Sequence, residues 1–227
     1  MAAGLGTRLR PLTNRWPKPV LPIDGRPVIA MLLRELAAAE CGRAWIVTGH
    51  LAEQVEALVG DGSAFGIPVR FVRQPGVLGS ADAVQRALDD GAEPPALVSA
   101  ADTVFPAGDV ARFAAEFGGG AAAGAVAVRT DPGPGPARPA VRRDGERIVR
   151  MRDDEGGSVW TPAPLWGLGG PVAERLCRDR PPYELENAYQ AAIDAGEAIK
   201  AIEIGKTRDL TDPLDLVQEN FPYLRAT

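Results

Sequence analysis

The sequence predicts an α/β fold, a mostly parallel sheet covered on both faces by helices. Two observations carry this expectation. Apolar runs of strand length alternate with segments whose apolar residues repeat at helical spacing. The connections between them are short, and a strand–helix–strand rhythm of this kind builds parallel sheets with helices against them. Length agrees, since 227 residues with 45% hydrophobic content can bury one large core.

The elements follow in order. Val28, Ile29, Leu32, Leu33 and Leu36 recur at helical spacing, and Pro27 is well placed for a first turn. Residues 44–48 read as a buried strand, 52–59 as a helix and 69–72 as a strand. Ser80 is a candidate cap for a helix running to about Leu88. Residues 96–100 form the next apolar strand, and Val110, Phe113, Ala114 and Phe117 mark another helix. The rhythm changes after Gly118-Gly119-Gly120. Residues 123–129 read as a strand, and the Pro/Gly alternation over 131–136 as a stiff, helix-free loop. Shorter strands are expected at 138–143, 147–152 and 159–168, with a turn at Asp144-Gly145. Helices near 171–177 and 185–195 precede a strand at 199–204. Asp212 suits an N-cap, Pro213 a first helical position, and Asp215 the positive end of that helix. No repeat or flexible linker interrupts the chain, so one domain spanning 1–227 is expected, its second half packed on its first.

Acidic residues exceed basic ones by 30 to 25, a net charge of -5 that argues against general nucleic-acid binding. A local basic cradle is compatible with that total. No apolar run reaches membrane-spanning length, and no segment reads as a signal peptide. Cys41 and Cys177 are isolated, which suits reduced thiols in a cytoplasm.

The chemistry is concentrated at the start: Ala2-Ala3-Gly4-Leu5-Gly6-Thr7-Arg8-Leu9-Arg10-Pro11, then Pro17-Lys18-Pro19. Two glycines let a backbone turn direct several N–H groups at one anion. Arg8 and Arg10 add forks that fit phosphate oxygens. The prolines around Lys18 hold that ammonium on a stiff strap. The stretch matches neither the P-loop pattern nor the G-x-G-x-x-G dinucleotide pattern. It reads as a different cradle for a polyphosphate; a solvated glycine turn is the bland alternative. Asp102 follows a strongly apolar strand, where open α/β sheets bind ligands. Capping is its other possible role, and capping or ion pairing fits Asp209 equally. His50, the sole histidine, reads as a turn residue, and Trp16, Trp45, Trp160 and Trp166 as packing. The arginines at 142, 143, 147, 150 and 152 read as a solvated face.

Gly4-Leu5-Gly6-Thr7-Arg8-Leu9-Arg10-Pro11 with Pro17-Lys18-Pro19 resembles the signature of sugar-phosphate nucleotidylyltransferases, also called NDP-sugar pyrophosphorylases. Gln74-Pro75-Gly76-Val77-Leu78-Gly79-Ser80-Ala81-Asp82-Ala83 is similar to that family's base-reading loop. Ala101-Asp102-Thr103-Val104-Phe105 resembles its metal-binding strand end, and Asp209 to Leu216 its closing segment. The first motif is specific, and the others gain weight from their order.

The resemblance implies a Rossmann-like, mostly parallel sheet with a mixed-strand substrate lobe, nucleotide bound by residues 1–120 and sugar phosphate by 121–227. It implies transfer of a nucleotidyl group from an NTP to a sugar 1-phosphate, with Mg²⁺ as cofactor. The implied partners are those two small molecules, without nucleic acid or membrane, for a cytoplasmic monomer or homo-oligomer. Ala3, Gly4, Leu5, Gly6, Thr7, Arg8 and Lys18 would bind the nucleotide, joined by Gln74 and Gly79 at the base. Gln74, with a donor and an acceptor, favours the imide edge of dTTP or UTP. Arg8, Lys18, Asp102 and Asp209 would be catalytic, and the two aspartates would hold Mg²⁺. Transfer to another phosphorylated acceptor, such as phosphocholine, and a non-catalytic regulatory role remain open alternatives.

Two departures stand out. The family's Glu-Lys pair is absent, and Arg150-Met151-Arg152-Asp153-Asp154 occupies that region. The apolar strand that leads the family into its glycine turn is reduced to Met1. The expectation is therefore that Met1 is internal and that at least ~5–6 strand residues stand before it.

Overall fold

The computed structural model of the chain describes residues 1–130, 140–153, 158–177, 181–221 and 223. A small antiparallel hairpin, β1 (Pro22–Ile23) and β2 (Arg26–Pro27), leads into helix α1 (Val28–Ala38). Then follow β3 (Ala44–Thr48), α2 (Ala52–Val59), β4 (Val69–Arg73), α3 (Ser80–Asp89), β5 (Ala96–Ser99), β6 (Thr103–Val104) and α4 (Asp109–Gly118). The second half supplies β7 (Gly124–Arg129), β8 (Arg142–Asp144), β9 (Arg147–Arg150), β10 (Thr161–Leu168), α5 (Gly170–Ala173), α6 (Leu185–Asp194), β11 (Ile199–Glu203), β12 (Arg208–Asp209) and α7 (Pro213–Asn220). The 131–136 loop and positions 138–139 fall outside the described residues.

Helices cover both faces, as the alternation along β7 shows. Ala125 and Ala127 join one core, with Ile29 and Leu33 of α1, Val55 of α2 and Phe113 of α4. Val126 and Val128 join a second core, with Val84 of α3 and Leu185, Ala188 and Tyr189 of α6. Successive strand residues point to opposite faces, so β7 is the buried middle of three layers.

The sheet departs from the expected parallel arrangement. Six strands run in the order β5-β10-β7-β11-β9-β8, and only β7–β11 among these pairs is parallel. The reason is β10, which returns antiparallel between β5 and β7 and pairs with both. Its ladder to β7 shifts register between Pro162 and Trp166, where proline lacks the N–H a regular ladder needs. The parallel pair β3–β4 forms a separate two-stranded sheet.

Met1 and Ala2 bridge these sheets. The Ala2 N–H donates to Val47 O at 2.8 Å, a parallel bridge to β3. The Met1 ammonium donates to Ser99 O at 2.8 Å, and Met1 O accepts from Ala101 N–H at 2.9 Å. Beyond Met1 an apolar slot of about 360 Å³ continues between β3 and β5. Leu33 and Phe117 from the first core and Val84 and Leu168 from the second line it.

Two local expectations are corrected. Ser80 does not cap its own helix; Gly79 holds the N-cap position. Its hydroxyl instead accepts from Leu185 N–H at 2.7 Å and donates to Glu184 at 2.6 Å, joining the starts of α3 and α6. The arginine face is paired rather than merely solvated. Arg142 meets Asp153 at 2.6 Å, Arg152 meets Glu186 at 3.1 Å, and Arg143 meets Glu203 while stacking on Trp160. Asp212 and Asp215 form the expected cap of α7, a reciprocal capping box.

Burial pushes the Met1 ammonium down to about 6 from 8.0, with the charge of Asp102 opposing that fall. Between those values the unfolded chain binds more protons than the folded one, so stability rises with pH across the window. Two units correspond to about 2–3 kcal/mol. Joining a Val/Ile segment of about 5–6 residues to Met1 removes the ammonium and offers a strand to the slot. The extended chain is expected to melt higher than the 227-residue chain at pH 6 and to lose the rise between pH 6 and 8. Equal melting curves for the two chains at pH 6 would refute both expectations.

Candidate active site

The glycine turn opens directly from the Met1–Ala2 bridge. Gly6 adopts φ 60°, the left-handed region, and a Cβ there would stand 2.8 Å from Thr13 Cγ2. Thr13 is buried, and its hydroxyl donates to Gly6 O at 2.8 Å. His50 Nε2 donates to Thr13 O at 2.7 Å, because a carbonyl oxygen can only accept. The histidine thus braces the turn. Thr7 and Arg8 then rise on a short 3-10 turn and stay exposed, while Leu9 anchors it from below at 1% exposure.

Lys18 sits between two buried prolines, which fix its backbone at the rim. Its ammonium lies 2.7 Å from Asp102 Oδ2, in the turn between β5 and β6. Asp209 faces Thr103, the residue after Asp102, across the antiparallel β6–β12 pair. Asp215 lies close behind. Burial disfavours its charge, but hydrogen bonds from the Thr211 hydroxyl and N–H and from Asp212 N–H outweigh this, aided by Lys18. Its carboxyl is held below the usual range and stays ionised.

Gln74 ends β4, with its N–H on Thr48 O at 2.8 Å, and is buried at 6% exposure. Its side-chain amide donates to Gly79 O at 3.0 Å and to Asp82 Oδ2 at 2.8 Å. Gly79 has φ 100°, and a Cβ there would collide with the Tyr183 backbone. Both features require glycine.

These residues enclose one cleft of about 380 Å³. Ala3, Gly4, Gly6, Thr7 and Arg8 line it, and so do Lys18, Asp102, Gln74 and Gly79. Leu5 and Asp209 do not line it; Leu5 points outward at 39% exposure. Nor do Arg150, Arg152 or Trp166. Arg150 donates to Arg152 O, Arg152 pairs with Glu186, and Trp166 is buried within the sheet. Thr13, Asp82 and Arg86 are not singled out in the sequence; for the last two the legible signal is their i,i+4 spacing as an opposite-charge pair on one helix.

Residues 1–137 match a family model described as nucleotidyl transferase. The whole chain aligns at 28% identity with 66% of a glucose-1-phosphate thymidylyltransferase from Streptomyces griseus. It aligns at 34% identity with 50% of the bifunctional protein GlmU from Acidovorax ebreus. The chain thus spans about half to two thirds of these relatives. Among solved structures, a UTP-bound UGPase from Acinetobacter baumannii superposes with TM-score 0.75 over 98% of this chain and 90% of that one, at 21% identity. A UDP-glucose pyrophosphorylase complexed with UDP-glucose superposes with TM-score 0.79 over 100% and 97%, at 19% identity. With a model that covers more than half of its residues, the chain belongs to the nucleotidyl transferase family.

Proposed function

We propose that the protein transfers a nucleotidyl group from an NTP, with dTTP or UTP favoured, to a sugar 1-phosphate and releases pyrophosphate. The observation that carries this reading is the convergence of the glycine turn, Arg8, Lys18 and Asp102 on one cleft that Gln74 also lines. The 1–120 half would hold the nucleotide and the 121–227 half the sugar phosphate, in a cytoplasmic setting that suits free Cys41 and Cys177.

A sugar-phosphate oxygen attacks the α-phosphorus, and the bond from that phosphorus to the bridging oxygen of pyrophosphate breaks. The attacking oxygen is already anionic, so no protein base or nucleophile is needed. The task is positioning and charge neutralisation. The N–H groups of the Gly4–Thr7 turn cradle the phosphates. Arg8 offers its fork, and Lys18 keeps two of three ammonium donors beyond the one on Asp102.

The aspartates suit Mg²⁺, which binds through one or two carboxylates plus substrate phosphates. A cation, the Lys18 ammonium, already stands on Asp102 Oδ2. No group of three or more metal-ligating side chains gathers among the described residues. Asp102 and Asp209 would hold the ion, which when bound would neutralise phosphate charge.

A panel of four NTPs against several sugar 1-phosphates, read by pyrophosphate release, tests the reading. Phosphocholine belongs in the panel, because Arg150 and Arg152 are engaged elsewhere. Release with phosphocholine alone would move the acceptor; release with no acceptor would remove the activity. Asp102→Asn and Asp209→Asn are expected to lower kcat by roughly a hundredfold or more while the melting temperature holds within a few degrees. Near-normal turnover in both variants would refute the metal assignment.

Arg8→Ala and Lys18→Ala are expected to reduce kcat more than they weaken nucleotide binding, since charge at the phosphates grows as pyrophosphate departs. Turnover and calorimetric binding on the same variants check this. A change confined to KM would show that these side chains hold substrate and transition state alike.

A further inference from the structure

We propose that Asp82 and Arg86 are positioning residues that decide which end of the Gln74 amide faces the cleft, and so select bases that carry a ring N–H. The proposal rests on the cleft being a nucleotide site.

A primary amide has two faces of opposite character, two N–H donors at one end and an acceptor oxygen at the other. At Gln74 the nitrogen lies 3.0 Å from Gly79 O and 2.8 Å from Asp82 Oδ2. A carbonyl and a carboxylate can only accept, so the nitrogen end is forced inward and both its hydrogens are engaged. The oxygen Oε1 is the hydrogen-bonding capacity left over. Turning the amide round would set Oε1 against the Asp82 carboxylate at hydrogen-bond range, which is repulsive.

Asp82 can impose this only while it stays charged in an interior position, at 1% exposure. Arg86 supplies the countercharge one helical turn later, with Nε 2.7 Å from the same Oδ2 that receives Gln74. Removing Arg86 takes away one countercharge of a buried carboxylate and so favours its neutral form. A protonated Asp82 could donate to a reversed Gln74, so Arg86 supports the orientation that Asp82 imposes.

The consequence is chemical. An acceptor at the base end of the cleft pairs with N3–H of uracil or thymine, and equally with N1–H of guanine. It meets the bare N3 of cytosine, or N1 of adenine, lone pair to lone pair. Cytosine is the informative competitor, because it shares its size with uracil and differs at this edge.

The test is equilibrium binding of UTP and CTP with Mg²⁺, by calorimetry, to the wild type and three variants, with kcat/KM for both nucleotides where turnover is seen. The wild type is expected to bind UTP at least tenfold more tightly than CTP. In Asp82→Asn either amide end of the asparagine can face Gln74, and the ratio is expected to fall to about threefold or less. Arg86→Gln is expected to lower the ratio too, whereas Arg86→Lys keeps the countercharge and is expected to keep the ratio. Should Asp82→Asn fail to fold, the Arg86 pair carries the test alone. A wild-type ratio preserved in both Asp82→Asn and Arg86→Gln would overturn the proposal, whatever the enzyme transfers. A wild type that binds neither nucleotide would instead overturn the nucleotide site itself, and the proposal with it.

Discussion

The groups that line the cleft hang from strand ends that are fixed, relative to one another, by the backbone hydrogen bonds of Met1 and Ala2. Ala2 bonds to Val47 near the end of β3. Met1 bonds to Ser99 and Ala101 at the end of β5. The glycine turn leaves from Ala2, Asp102 leaves from Ala101, and Gln74 is tied by its N–H to Thr48, at the end of β3. Two residues thus set the spacing between the glycine turn, Asp102 and Gln74. Below them the slot between β3 and β5 has apolar walls, and among the described residues no ladder crosses it.

Local chemistry was legible in the sequence, and pairing was not. Apart from β6, which was not expected, the strands and helices from α1 to α4 lie within a residue or two of their expected bounds, because burial periodicity and strand length are properties of short windows. The cradle was legible for the same reason: Gly4, Gly6, Arg8 and Lys18 are close in the chain and converge in the cleft. The sheet order was hidden, because which strand β10 pairs with depends on residues more than sixty positions away, Ser99 and Val98 among them. A strand holding Pro162, Pro164 and two small residues gives no local sign that it belongs between β5 and β7. Ser80 misled for a related reason. A serine at a helix start is a cap by local preference, but here its hydroxyl is claimed by Glu184 and Leu185 from another helix.

That last contact shows how the far half enters the site. Tyr183 O accepts from Ala81 N–H at 2.7 Å, and Tyr183 N–H donates to Leu78 O at 2.8 Å. The loop that carries Gln74's partner Gly79 is therefore clasped by the entry to α6, closely enough that only glycine fits against the Tyr183 backbone. Asp209 comes from further on again, through the β6–β12 pair, and the Asp215 cap completes the negative side of Lys18. The matched family region stops at residue 137, yet the Gln74–Gly79 loop and the β6 strand beside Asp102 both pair with residues beyond 180. The cradle is a local product of the first twenty residues; the site is a product of the whole fold. On the proposed function an acidic chain would hold a polyanion through its local field rather than its net charge, with Arg8 and the glycine turn supplying the attraction while Asp102 and Asp215 offset the charge of Lys18.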